Sequence, residues 1–156
     1  MTGANGFVGR ALCAVLAASG RAFRRSVRAP HPDFPGAVPV GEIGPDTDWR
    51  SALEGVHCVV HLVSRTHVLR ETAPDPLAEY RRINVQGSLA LAQQAVRAGA
   101  RRLVFMSSIK VNGESTAKPY TEDDPPRPED AYGASKLEAE QALARVAAGT
   151  GLEVVV

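Results

Sequence analysis

The sequence predicts an α/β fold in which a doubly wound parallel sheet carries helices on both faces. Short apolar runs alternate with helical stretches along the 156 residues, which is the pattern of successive strand–helix–strand units. The run VHCVVHLV at 56–63 is typical of a buried strand, and the glycine-spaced stretch TGANGFVG at 2–9 is typical of a strand-to-helix turn. This length favours one domain with a core of its own.

The opening turn has the spacing of a phosphate-binding loop. Gly3, Gly6 and Gly9 recur at every third position, where the absence of a Cβ lets the backbone turn tightly and approach a pyrophosphate. The helix that follows would present free N–H groups at its start. Its apolar residues at helical spacing are Val8, Ala11, Leu12, Val15 and Leu16. Taken alone, the stretch fits a cofactor site and a plain strand-to-helix turn equally well.

The remaining elements are predicted from apolar periodicity and cap residues. Strands are predicted at 22–27, 38–43, 56–63, 102–106 and 152–156. Helices are predicted at 46–54 (capped by Asp46 or Thr47), at 77–98 and at 131–148. Residues 107–130 are predicted to form a loop, and a loop of this length in a compact domain usually carries function.

The composition argues against a nucleic-acid or membrane role. Lys and Arg number 18 against 17 Asp and Glu, a formal charge of +1, so no basic surface for nucleic acid is expected. The apolar runs are too short to cross a bilayer. Cys13 and Cys58 lack C-x-x-C spacing and are expected to be buried free thiols in a reducing, cytoplasmic compartment. No metal site is predicted, because the four histidines lack metal-ligand grouping; they are His31, His57, His61 and His67.

The stretch YGASK at 132–136 places a phenol and an ammonium one helical turn apart. Residues i and i+4 share a helix face, so the Lys136 ammonium is expected close to the Tyr132 hydroxyl. A free phenol has a pKa near 10, and an adjacent cation favours its ionised form. Tyr132 is therefore a candidate general acid/base. For an isolated Y-x-x-x-K, a solvated helix face is the commoner explanation.

Two serines, Ser107 and Ser108, follow the strand predicted at 102–106. The carboxyl end of a parallel strand is where open α/β sheets bind ligands. A hydroxyl there can hold the reacting oxygen of a substrate and share its proton with Tyr132. Taken alone, such serines are more often caps or turn residues.

These motifs occur in one order, each on the element that its chemistry requires. The chain resembles the extended short-chain dehydrogenase/reductase superfamily, in its NAD-dependent epimerase/dehydratase group, and is UDP-glucose 4-epimerase-like. The resemblance covers essentially the whole chain and implies a Rossmann-type NAD(P)-binding domain over 1–156. The stretches that carry it are TGANGFVG, VVHLVS, RINVQGS, SSIKVNG and YGASK.

The resemblance also implies roles for individual residues. Tyr132 would be the acid/base, Lys136 its activator and a ligand of the nicotinamide ribose, Ser108 the third catalytic member, and Asn84 a support near the active site. The cofactor-binding residues that it implies are Gly3, Asn5, Gly6, Phe7, Val8, Gly9, Arg28, Glu42, Ile43, Leu62, Val63, Ser64, Asn84, Tyr132 and Lys136.

In this family the first strand precedes the glycine turn, and a smaller substrate domain lies beyond the dinucleotide-binding domain. The chain is therefore expected to be a fragment, with the first strand largely missing and the C-terminal substrate domain absent. Loss of the central strand would leave unpaired edges on its two neighbours.

One departure from the family bears on the reaction. Dehydratases of the group carry an Asp-Glu pair after the active-site serine or threonine, whereas Ile109 and Lys110 stand there. 4,6-Dehydration is therefore not expected. Asn112 replaces the tyrosine of the usual V-Y-G, a change that the sequence alone does not explain.

A second departure bears on the cofactor. The second strand reads FRRSVR, with Arg24, Arg25 and Arg28 and no carboxylate before Asp33. Guanidinium groups suit a 2′-phosphate, so NADP is slightly favoured over NAD. Arginines that stack on adenine or lie on the surface are the alternatives.

The leading hypothesis is 4-epimerisation of a UDP-linked sugar through a 4-keto intermediate, with Tyr132 taking the hydroxyl proton as a hydride leaves C4. The alternative within the class is an NADPH-dependent reductase of a 4-keto nucleotide sugar or another carbonyl. The alternative from another class is a non-catalytic dinucleotide-binding module. The resemblance also suggests a homodimer packed through the helices predicted at 77–98 and 131–148.

Overall fold

A computed structural model of the chain describes residues 1–66 and 73–156. The strands in this part of the chain are all parallel. β1 (Ser26–Val27) pairs with β2 (Val38–Pro39). A second sheet contains β3 (Cys58–His61), β4 (Arg102–Phe105) and β5 (Glu153–Val155) in that order.

The first four residues join the two sheets. The Ser26 N–H donates to the Met1 carbonyl, and the Thr2 N–H donates to the Val60 carbonyl, each at 2.9 Å. Thr2 also forms a parallel bridge with His61. The resulting order is β2, β1, residues 1–4, β3, β4 and β5, which is the order of a doubly wound dinucleotide-binding sheet. The predicted α/β class is confirmed, whereas the division into domains stays a prediction.

Helical segments connect the strands. They are α1 (Phe7–Ala18), α2 (Arg50–Leu53), α3 (Pro76–Tyr80), a π-helical turn (Arg81–Gly87), α4 (Ser88–Arg97), a 3₁₀ turn (Ile109–Val111) and α5 (Ala131–Gly149). Aspartates begin two of them: the Asp75 carboxylate accepts from the Ala78 N–H at 3.0 Å, and the Asp130 carboxylate accepts from the Gly133 N–H at 2.6 Å.

The core lies between the β3–β4–β5 sheet and the adjacent helices α4 and α5. Alternate strand residues face it, so Leu103 and Phe105 of β4 are buried while Arg102 is exposed. The largest apolar side chains enclosed in this core are those of Trp49, Leu91, Leu103, Phe105 and Leu143.

The π-helical turn changes which residues face the sheet. The chain is helical over 76–97, close to the predicted 77–98, but a π turn is one residue wider than an α turn. The predicted inward residues are Val85, Leu89, Ala92 and Val96, and of these only Ala92 is fully buried. The other buried positions of this stretch are Tyr80, Asn84, Gly87, Ser88, Ala90, Leu91 and Ala95.

Other predicted elements are shorter in the structure. The strand predicted at 22–27 is reduced to β1, the strand at 38–43 to β2, and the helix at 46–54 to α2. Thr47 does not cap this helix. Its hydroxyl accepts from the Gly44 N–H at 2.8 Å and donates to the Glu42 carbonyl at 2.9 Å, so it stabilises the preceding loop instead.

Two expectations about burial are wrong. The periodicity of α1 predicts an inward Val15, but this side chain is 63% exposed, because α1 approaches its surroundings through Gly9. Cys58 is exposed because it points away from the core-facing Val59 of the same strand, while Cys13 is half-buried; both thiols are free. His67 lies outside the described residues.

Candidate functional site

The glycine turn folds closely between β3 and α1. Gly3 has a φ of +66°, which favours glycine. A Cβ at Gly9 would overlap the Gly3 carbonyl oxygen, and a Cβ at Gly6 would lie 3.2 Å from the same oxygen. α1 begins at Phe7, so its first N–H groups are directed toward the turn. The turn is therefore closely packed against its own backbone, and the start of α1 beside it has the geometry of an anion-binding helix N-terminus.

A cavity of about 340 Å³ lies beside this turn, large enough for part of a dinucleotide. The predicted cofactor-binding residues that line it are Gly3, Asn5, Arg28, Glu42, Ile43, Val63 and Ser64. The lining residues outside the predicted set are Thr2, Ser26, Val27, Val40, Trp49, Arg65 and Ile83. The predicted cofactor-binding residues outside the lining are Gly6, Phe7, Val8, Gly9, Leu62, Asn84, Tyr132 and Lys136.

Some of the unpredicted lining residues have a sequence signal and others have none. Ser26 and Val27 end a predicted strand, and the carboxyl ends of parallel strands line such sites. Trp49 reaches the cavity from the position just before α2. No spacing in the sequence predicts that placement.

The three arginines of the second strand have different environments. Arg24 donates to the carbonyls at the end of α2, and Arg25 donates to the Pro35 carbonyl at 2.7 Å. Arg28 lines the cavity and lies 3.5 Å from the Glu42 carboxylate, with both side chains mostly exposed. Of the three, only Arg28 lines the cavity. The Glu42 carboxylate reaches it from the loop that follows β2.

A buried polar network anchors the turn to the helical layer. The Thr2 hydroxyl lies 2.7 Å from His61 Nδ1, and His61 Nε2 lies 3.0 Å from the Ser88 hydroxyl. Ser88 donates its proton to the Asn84 carbonyl, so His61 donates from Nε2 and accepts from Thr2 at Nδ1. Burial lowers the pKa of His61 from 6.5 to about 3, so the imidazole is neutral.

Asn84 joins the end of β3 to α5. Its Oδ1 accepts from the Arg65 N–H at 2.7 Å, and its Nδ2 donates to the Arg65 carbonyl at 3.0 Å. The same Nδ2 donates to the Ser135 hydroxyl at 2.9 Å, and Ser135 donates to the Tyr132 carbonyl at 2.8 Å. The π-helical turn that contains Asn84 therefore fixes the backbone beside the predicted acid/base.

Lys136 is buried at the end of β4. Its ammonium donates to the Met106 carbonyl at 2.6 Å and lies 3.7 Å from the centroid of the Phe105 ring. Burial lowers the pKa of Lys136 from 10.5 to about 8, and the charge of Glu140 opposes that shift. Tyr132, one turn earlier on α5, is half-buried, and its ring centroid lies 6.3 Å from that of Tyr80.

The two serines have separate tasks. Ser108 begins the 3₁₀ turn, where its Oγ accepts from the Lys110 N–H at 3.3 Å. Ser107 donates to the Glu140 carboxylate on α5. The Lys110 ammonium lies 2.7 Å from both Glu114 and Asp130, and these carboxylates raise its pKa well above the ordinary value.

Gly133 sets the distance between the serine segment and α5. A Cβ at this position would lie 2.5 Å from the Lys110 carbonyl oxygen. The glycine of YGASK is therefore required for close packing, and it brings the 3₁₀ turn that follows Ser108 against the first turn of the helix that carries Tyr132 and Lys136. The predicted catalytic residues come from two elements that this contact joins.

The model of the NAD dependent epimerase/dehydratase family matches residues 1–156. The chain belongs to this family. A UDP-glucose 4-epimerase from Vibrio cholerae is 40% identical over 160 residues, covering 100% of this chain and 49% of that protein. The chain spans about half the length of this relative.

Solved structures of similar proteins have the same fold. MoeE5 in complex with UDP-glucuronic acid and NAD aligns with a TM-score of 0.80 and 33% identity, over 98% of this chain and 51% of that one. TunA, an NAD-dependent NDP-hexosamine 5,6-dehydratase of tunicamycin biosynthesis, aligns with a TM-score of 0.76 and 28% identity, over 98% and 51%. Among the described residues, no helix combines the length and the apolar composition needed to cross a membrane.

Two residues that depart from the family pattern, Lys110 and Asn112, make stabilising contacts in the structure. Lys110 ties the 3₁₀ turn to Asp130, the cap of α5. The Asn112 amide donates to the Asp124 carbonyl at 3.3 Å and so holds the loop at 107–130 in place. Both residues stabilise the serine segment of this family member.

Proposed function

We propose that this chain is the dinucleotide-binding part of an NAD(P)-dependent epimerase that inverts C4 of a UDP-linked sugar. The observation that carries the proposal is the junction at Gly133, which brings the Ser108 segment against the helix that bears Tyr132 and Lys136. The identity to a UDP-glucose 4-epimerase over the whole chain supports this reading. Lys110 in place of an acidic residue favours epimerisation over elimination.

The site fits a nicotinamide dinucleotide. The tight Gly3–Gly9 turn leads into α1, whose first N–H groups would bind the pyrophosphate. The cavity lined by Arg28, Glu42 and Ile43 fits the adenosine end. Lys136 and Tyr132 would hold the nicotinamide ribose. A bound nicotinamide would supply the acceptor and donor for the hydride at C4 of the sugar.

The residues of this chain would bind and transfer the proton of the C4 hydroxyl. Tyr132 takes the proton of the C4 hydroxyl as the hydride leaves, and gives it back when the hydride returns. The Lys136 ammonium favours the phenolate form during the first half of the cycle. Ser108 holds the C4 oxygen at the end of β4 and shares its proton with Tyr132.

The test is interconversion of UDP-glucose and UDP-galactose, followed by proton NMR in the protein that carries this chain. Tyr132→Phe is expected to lower kcat by about 10²-fold or more, the usual contribution of a general acid/base. Tyr120→Phe is the matched control, because Tyr120 is a tyrosine of the outer loop whose hydroxyl donates to the Ser115 carbonyl. A Tyr132→Phe variant with full activity would refute the mechanism.

The second candidate function is net reduction of a keto-sugar or another carbonyl with NADPH. The observation that favours it is Arg28 at the rim of the adenosine cavity, since a guanidinium suits a 2′-phosphate. It predicts stoichiometric NADPH consumption with a keto-sugar. It also predicts no epimer formation when the cofactor is supplied in catalytic amount. The proposed homodimer and cytoplasmic location stay predictions.

A further inference from the structure

A carboxylate lies one helical turn beyond Lys136, the buried ammonium of the candidate active site. Glu140 follows Lys136 by one turn of α5, and the Ser107 hydroxyl donates to it. Lys136 in turn donates to the carbonyl of Met106, the residue before Ser107. Two side chains from one face of α5, those of Lys136 and Glu140, therefore bind two neighbouring residues at the end of β4, Met106 and Ser107.

The surroundings of Lys136 make this carboxylate important. From β4, the ammonium meets the Phe105 ring and the Met106 carbonyl, neither of which carries a net charge. From β3 it faces His61, which is neutral because it is buried. On its own helix, Glu140 is the titratable group whose charge acts on the ammonium. Glu140 is thus the anion among these neighbours that opposes the loss of the Lys136 proton.

We infer that Glu140, anchored by Ser107, is a positioning residue that keeps Lys136 charged at the end of β4. This inference rests on the proposed function for its catalytic meaning, since an ammonium is needed there only if Tyr132 acts as an acid/base. The electrostatic part can be measured without turnover. Ser107 thereby has the role of anchoring Glu140, which differs from the substrate-binding role proposed for Ser108.

Glu138 on the same helix provides the matched control. It lies two residues before Glu140 and pairs with Arg81 on the surface at 2.6 Å. Glu138→Gln and Glu140→Gln remove the same charge from the same helix at different distances from Lys136. Glu140→Asp retains the charge and reports on whether a folding defect alone explains the behaviour of Glu140→Gln.

The first measurement is the titration of the lysine side chains by NMR in the purified chain, followed at ¹³Cε. The chain has only three lysines, Lys110, Lys118 and Lys136, so assignment needs three Lys→Arg variants. In the wild-type protein Lys136 is expected to titrate near pH 8. Glu140→Gln is expected to lower this midpoint by about half a pH unit or more. Glu138→Gln is expected to leave the Lys136 midpoint unchanged, and Glu140→Asp is expected to keep the midpoint close to its wild-type value.

The second measurement is the pH profile of kcat with UDP-glucose. The proton on Lys136 is lost as pH rises through its pKa, so the alkaline limb of the profile should move to lower pH in Glu140→Gln and stay in place in Glu138→Gln. An unchanged Lys136 midpoint in folded Glu140→Gln overturns the inference and leaves the proposed function standing. A shifted midpoint in a protein that does not interconvert UDP-sugars supports the electrostatic role and rejects the proposed function.

Discussion

The glycine turn before α1 and the junction between β4 and α5 hold their parts of the candidate site by different means. The turn depends on glycines, because Gly3 has a φ of +66° and a Cβ at Gly9 would overlap the Gly3 carbonyl oxygen. The junction works by buried polar contacts made by side chains such as Asn84 and Lys136. In the proposed function, the first region would bind the extended anionic cofactor, and the second would hold Tyr132, the proposed proton-transferring group, in one orientation.

The largest effect is expected at Gly9, where the turn has no space for a Cβ atom. In Gly9→Ala the new Cβ would overlap the Gly3 carbonyl oxygen and lie 2.9 Å from the Ala4 Cα, both of them backbone atoms. We expect a loss of at least about 3 kcal/mol in the free energy of unfolding, together with loss of NAD binding, measured by urea denaturation and by calorimetric titration. Gly6→Ala, with its nearest contact at 3.2 Å, is the milder partner variant. Equal stability of the two variants would contradict the close-approach argument.

The corresponding change in the second region is Gly133→Ala. Its Cβ would lie 2.5 Å from the Lys110 carbonyl oxygen, so α5 must move away from the serine segment. We expect a loss of about 2 kcal/mol in stability and a larger proportional loss in kcat than in NAD affinity. Gly149→Ala is the control in the same helix. It meets open space and should be neutral or stabilising by up to about 1 kcal/mol.

The buried network that joins the two regions predicts a pH dependence of stability. His61 has a pKa of about 3 in the folded protein against 6.5 when free, so the unfolded chain binds the extra proton as pH falls below 6.5. Stability should therefore decrease by about 1.5 kcal/mol between pH 6.5 and pH 5, above the range where most carboxylates titrate. Chemical denaturation at several pH values measures this slope. His61→Gln should flatten it, whereas His57→Gln, at an exposed position, should not.

The smallest effect is expected at the exposed rim of the cofactor cavity. Arg28→Asp should weaken NADP binding by about tenfold, because one partly exposed guanidinium contact to the 2′-phosphate is lost. Glu42→Gln should strengthen NADP binding by a smaller factor, since it frees Arg28 from its neighbour at 3.5 Å. Arg25→Ala is the control, because Arg25 donates to the Pro35 carbonyl and lies outside the cavity lining. Equal losses of NAD and NADP affinity in Arg28→Asp would show that Arg28 does not recognise the 2′-phosphate.

The sequence predicts the first region better than the second. Glycine spacing directly reports backbone that must turn or approach closely, so Gly3 and Gly9 could be identified without coordinates. Asn84 could be named only through the family resemblance, because the π-helical turn that orients it leaves no periodic signal. Glu140 was not distinguishable from Glu138, since both are acidic residues on one helix and only the packing of α5 on β4 separates them.

Contacts that the residue pattern does not show account for the remaining differences. Thr47 has a good cap residue type, but its hydroxyl bonds to Gly44 and Glu42 in the loop before α2 and does not cap that helix. Arg28 has no acidic neighbour before Asp33, yet the fold brings Glu42 beside it from the loop after β2. In each case the residue type alone does not identify the partner.

The most direct test of the proposed function follows the hydrogen at C4. UDP-glucose deuterated at C4 is incubated with the protein that carries this chain and with NAD or NADP in an amount far below that of the sugar. We expect UDP-galactose to form with deuterium retained at C4, and Tyr132→Phe to abolish this conversion while cofactor binding persists. Absence of the epimer in the active-site-intact protein, or formation of an epimer that has lost the deuterium, would contradict the proposed mechanism.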